Sequence, residues 1–73
     1  MAQIQNLESL AEALRVKLPL QSNFYVVNTR LILQTGVNLK RIKPEQNQDP
    51  ALVQRVLEAL DRMGVAIAGG GNP

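Results

Sequence analysis

Apolar residues follow helical spacing at both ends of the chain and crowd together in the middle. Near the start, Leu7, Leu10, Ala11, Leu14 and Leu18 recur at steps of three and four, which places one stripe on a helix. Asn6 sits where its side chain can accept an orphan backbone N–H of the first turn. Glu8 lies at the negative-preferring end of that helix and Arg15 and Lys17 at the positive-preferring end. Pro19 disfavours helical geometry at Leu18, so the pattern predicts a helix over 7–18.

Near the end, Leu52, Val53, Val56, Leu57, Leu60 and Met63 form a second stripe. Asp49 can cap it, and Pro50 suits a first helical position, where no N–H is needed. Glu58 precedes Arg62 by one turn, the better order for a solvent-side ion pair. Gly64 can adopt the left-handed conformation that ends a helix, with Val65 folded back on the last turn. These signals predict a helix over 50–63.

The middle supports two readings. Phe24-Tyr25-Val26-Val27 and Leu31-Ile32-Leu33 are rich in strand-favouring types. Alternation would put Tyr25, Val27, Thr29, Leu31 and Leu33 on one face of a strand, with Thr35-Gly36 turning a hairpin back into residues 37–42. As a helix, the segment starts at an N-cap Ser22 and stops at Gly36, with Val37 folded back as Val65 is. A Thr-Gly loop is a weaker hairpin signal than Asn-Gly or Asp-Gly, which favours the helix. On a wheel, however, that helix is apolar nearly all round and must be covered on several sides. The expected architecture is therefore a small all-α domain of three helices, about 7–18, 23–35 and 50–63. An α+β fold with 24–42 as a hairpin is the alternative. Residues 39–48 read as a polar connector, with one helical turn starting at Pro44. Residues 69–73 read as a flexible Gly-rich tail, leaving 1–68 as the domain.

Composition narrows the chemistry. The chain has 73 residues, with no Cys, His or Trp. Disulfides, thiolate or imidazole metal ligands, a thiol nucleophile and an imidazole base are all excluded. Glu8, Glu12, Glu58 and Asp61 fall on outward helix faces, where acids usually serve solubility. Glu45, Asn47 and Asp49 lack the glycine turn and terminal Glu of a calcium loop. Gly69-Gly70-Gly71 lacks the strand and helix that flank a phosphate cradle. The chain reads as a non-enzyme with no cofactor and no pattern for a small-molecule substrate. The longest uncharged stretch, Leu18 to Thr29, is too short and polar to span a bilayer, which takes about 20 apolar residues. Met1 to Asn6 lacks the basic start and apolar run of a signal peptide, so a cytoplasmic location is expected.

Two features point to partners. A chain of this length buries only about 60% of its unfolded surface, and small scaffolds usually add a disulfide, a metal or a second chain. The apolar middle makes the second chain the favoured choice, with Phe24, Tyr25, Val27, Leu31 and Leu33 as candidate interface residues. The reading is a self-associating protein–protein interaction module, working as a homo-oligomer. The alternative comes from charge. The net charge is only +2, but residues 13–44 hold six basic residues and no acid. Arg30, Lys40, Arg41 and Lys43 form a candidate anion or nucleic-acid patch, joined by Arg15 or Lys17 if the fold brings them alongside. Phe24 and Tyr25 are the sole aromatic platforms on which bases could stack.

Overall fold

The computed structural model describes residues 4–65 and 67, and among these it contains four helices and no strand. They are α1 (Leu7–Lys17), α2 (Gln21–Thr35), α3 (Pro44–Asn47) and α4 (Pro50–Arg62). The domain is all-α. The hairpin alternative for 24–42 is overturned: the segment is helical to Thr35, and Gly36 then takes φ 76° to end it. An isolated hairpin would leave its outer edges without a strand to pair with, whereas a helix satisfies its own backbone. The expected glycine tail at 69–73 lies outside the described residues, as do residues 1–3, 66 and 68 of the expected domain.

α1 begins where its stripe and cap predict. The Asn6 side chain accepts from the Ser9 N–H at 2.7 Å. A second cap arrives from α3, where Asn47 Oδ1 accepts from the Glu8 N–H at 2.9 Å. The single turn at Pro44 thus ties the connector to the start of the chain. α4 is capped by Asp49, whose carboxylate accepts from the Ala51 N–H at 3.0 Å. Asp49 and Asn47, two of the three residues weighed as calcium ligands, therefore serve as helix caps.

The expected start of α2 needs correction. The helix begins at Gln21, and its N-cap is Leu20, whose side chain makes no capping hydrogen bond. Ser22 lies inside the first turn and is exposed. The Leu20 carbonyl already accepts from the Asn23 and Phe24 N–H groups at 3.1 and 3.2 Å, so the helical ladder starts before Ser22 can cap it.

The two glycine stops look alike in sequence and differ in hydrogen bonding. At the end of α4, the Val65 N–H donates to the Leu60 carbonyl at 2.9 Å and the Gly64 N–H to Asp61 at 3.0 Å, a Schellman pairing. At the end of α2, the Gly36 N–H donates to Ile32 at 2.9 Å, the simpler left-handed cap. The Val37 N–H goes instead to Thr35 Oγ1 at 3.2 Å. Met63, the counterpart of Thr35, has no hydroxyl to offer.

The core draws Leu7, Leu10, Ala11 and Leu14 from α1, and Val53, Val56, Ala59 and Leu60 from α4. α2 adds Phe24 and Leu31, and the loop after it adds Val37 and Leu39. α2 lies against both α1 and α4, which also touch each other.

Candidate interaction surface

α2 presents two opposed faces. Phe24, Val27, Asn28, Leu31 and Thr35 recur at steps of three and four and turn inward; Phe24, Asn28 and Leu31 are buried and Val27 packs against the core. Ser22, Tyr25, Val26, Thr29, Ile32 and Leu33 recur the same way on the opposite side, over an arc of about 120°. On that outer face Tyr25 is 58%, Val26 52%, Ile32 38% and Leu33 82% exposed. Large apolar side chains at this exposure, gathered on one face, make a patch rather than scattered single residues.

The candidate interface residues thus divide. Tyr25 and Leu33 lie on the outer face, Val27 is half-buried at the core, and Phe24 and Leu31 are core residues. The last two are closed to a partner in this fold. Their place is taken by Val26 and Ile32, which a strand alternation assigns to the wrong side and a helical wheel assigns correctly.

The polar atom at the centre of the patch is already satisfied. Thr29 Oγ1 donates to the Tyr25 carbonyl one turn back, at 3.0 Å. A hydroxyl with its donor used inside the helix can be covered at a smaller desolvation penalty than a free one.

The basic residues are organised by the loop after α2, and a buried asparagine sets that loop. Asn28 is only 2% exposed. Its Oδ1 accepts from the Leu39 N–H at 2.8 Å, and its Nδ2 donates to Asn38 Oδ1 at 2.9 Å. Asn38 Oδ1 also accepts from the Lys40 N–H at 2.9 Å. An asparagine in mid-helix reads as a poor helix former, so this role was missed from sequence. The available signal was its register: Asn28 falls four residues after Phe24 and three before Leu31, a polar residue in the core row.

That loop carries Lys40 back over α2, where its Nζ lies 5.2 Å from the centre of the Tyr25 ring. Arg15, near the end of α1, places its guanidinium 4.7 Å from the centre of the Phe24 ring. Arg15 and Lys40 line one hollow together with Leu18, Pro19, Gln21 and Phe24. Arg30 projects elsewhere, since five helical positions separate it from Tyr25, about 140° around α2. The structure therefore joins Lys40 to Arg15 and puts Arg30 on another side. Arg41, Lys43 and Lys17 are exposed.

No protein family, curated protein or solved structure matches the chain. Function must be argued from these surfaces alone. Among the described residues no group of acidic side chains is placed to hold a metal ion, and no helix is long and apolar enough to cross a membrane.

Proposed function

We propose that this chain is a non-enzymatic protein–protein interaction module that self-associates through the outer face of α2. The observation that carries the reading is the exposure of Tyr25, Val26, Ile32 and Leu33 on one helix face, opposite the side that builds the core.

A second copy of the chain suits this face because the face is self-complementary. A two-fold contact needs one patch to fit itself in reverse. With two α2 helices antiparallel about Thr29, Tyr25 of one copy meets Ile32 of the other, and Val26 meets Leu33. The two Thr29 residues meet at the axis with their hydroxyls already donating within their own helices. Covering the exposed parts of eight such side chains is worth on the order of 10 kcal/mol. Association itself costs about 4–15 kcal/mol. At the lower end of that cost the balance gives a weak, concentration-dependent dimer.

Sedimentation equilibrium from tens of micromolar to about 1 mM tests it, a range suited to binding near −4 to −7 kcal/mol. The mass should rise from 8.0 kDa towards twice that value as concentration increases. Leu33→Glu should hold the chain at single mass, whereas Val16→Glu, on an exposed apolar residue of α1, should not. A single-chain mass throughout the range, with a normal thermal melt, would sink the proposal.

Nucleic acid is the second reading, supported by the exposure of Lys40, Arg41 and Lys43 in a stretch without acids. Phosphate contacts would make affinity for an oligonucleotide fall steeply with salt. Substituting Arg41 and Lys43 with Glu, with Lys40 kept on the Tyr25 ring, should sharply weaken a mobility shift and leave the chain's self-association in place.

A further inference from the structure

We propose that the hollow between the end of α1, the start of α2 and the loop after α2 binds a small organic oxyanion, a phosphate or carboxylate carried on an apolar body. The hollow borders the outer face of α2, where Lys40 meets Tyr25, but none of its lining residues is among the four apolar residues of that face, and the proposal does not rest on self-association.

The lining has two characters. Arg15 and Lys40 supply two positive charges and Gln21 an amide, with no carboxylate among the lining residues. Leu18, Pro19 and Phe24 supply an apolar wall. The volume is about 250 Å³, slightly below the usual range of about 300–1,000 Å³ for small-molecule sites. A ligand of that size holds one charged group and a ring or short chain.

The cations come from far apart in the chain and are held by contacts of their own. Arg15 lies over the Phe24 ring, and Phe24 is itself fixed in the core. Lys40 lies over Tyr25, and its backbone is tied through Asn38 to the buried Asn28. Groups ordered before binding lose less entropy when the ligand arrives. Two like charges facing one hollow also repel, and an anion between them removes that repulsion. Arginine adds paired N–H donors that match the oxygens of a carboxylate or phosphate. The apolar wall then favours an anion with a hydrophobic body over a bare inorganic one.

The test is titration of the full chain with phenyl phosphate, benzoate and inorganic phosphate, followed by amide NMR shifts. Saturable shifts at Gln21 and Lys40 are expected for at least one of the two organic anions, tighter than for inorganic phosphate. The stronger of the two identifies the charged group. Arg15→Gln and Lys40→Gln should each weaken binding about tenfold, the effect of losing one charge-assisted hydrogen bond. Arg62→Gln, on α4 and outside the hollow, should change nothing. Thermal melts of each variant separate loss of the site from loss of the fold. Absence of saturation with both organic anions up to about 10 mM overturns the proposal. So does equal weakening by Arg62→Gln. An oligonucleotide that binds far more tightly, and loses affinity as much through Arg41 and Lys43 as through Arg15 and Lys40, assigns the cations to an extended phosphate surface instead.

Discussion

α4 and α2 are built from similar shares of apolar residues and put them to different use. α4 turns Val53, Val56, Ala59 and Leu60 inward and shows solvent Gln54, Arg55, Glu58, Asp61 and Arg62. Its outer face is occupied with itself, as where Gln54 Nε2 donates to Glu58 at 3.3 Å. α2 buries only Phe24, Asn28 and Leu31 and leaves Tyr25, Val26, Ile32 and Leu33 outside. Folding of a single chain completes α4. It leaves α2 with apolar surface that stays exposed among the described residues. A helix apolar on one side needs a core, and a helix apolar on two sides needs a core and something more.

The sharpest way to break this contrast compares two leucines two residues apart. Leu31 is fully buried and Leu33 is exposed. Leu31→Ala should lower stability by about 2–5 kcal/mol, through lost transfer energy and the cavity left behind. Leu33→Ala should stay within about 0.5 kcal/mol for the isolated chain. Chemical denaturation at low concentration, where association is negligible, measures both. Equal losses would mean that the outer face of α2 is packed against something within the chain.

The next effect concerns the buried polar residue of α2. Asn28→Ala removes the acceptor of the Leu39 N–H and the donor to Asn38. Leaving a buried N–H unpaired costs about 1–3 kcal/mol. For a domain of this size each kcal/mol lowers the melting temperature by about 4–8 °C. Loosening the loop should also release Lys40 from the hollow, so anion binding should weaken together with the melt. An unchanged melt would show that the loop does not rely on Asn28.

These two residues also mark how far the sequence could be read. Leu31 is legible as an apolar helix residue but not as core: the sequence offers it to a partner, and the register of α2 buries it. The caps at Asn6 and Asp49 and the stops at Gly36 and Gly64 are legible because each is a local hydrogen-bonding rule. Asn28 and Asn47 are illegible for the same reason in reverse. Their partners, Leu39 and Glu8, are fixed by tertiary approach, and no local pattern announces them. Arg15 and Lys40 meet in one hollow for that reason too, although the acid-free span containing both is visible in the sequence. The outer face of α2 was partly legible: its excess of apolar residues was plain, but dividing core from surface required the helical register.

The missing cap of α2 gives a gain rather than a loss. Leu20 occupies the N-cap position with no acceptor, and the first turn contains no acid. α4, by contrast, has Asp49 in that role. Leu20→Asp should add an acceptor for a first-turn N–H and a favourable charge at the helix start. The expected gain is about 1 kcal/mol. A thermal melt reads it as a rise of several degrees. Because Leu20 is exposed, little packing is lost in exchange.

The smallest expected effect decides where α2 begins. Ser22 would be its N-cap if the helix started at Asn23, and removing a Ser cap costs about 0.5–2 kcal/mol. With the helix starting at Gln21, Ser22 is an exposed first-turn residue and makes no capping contact. Alanine has the higher helix propensity at such a position. Ser22→Ala should therefore be neutral or slightly stabilising, within about 0.5 kcal/mol. Denaturant midpoints of the wild type, Ser22→Ala and Leu20→Asp, taken together, separate the two starts. A Ser22→Ala loss near 1 kcal/mol with no gain from Leu20→Asp would move the first turn of α2 to Asn23. That shift would leave Gln21 outside the helix and reshape the hollow that it lines with Arg15 and Lys40.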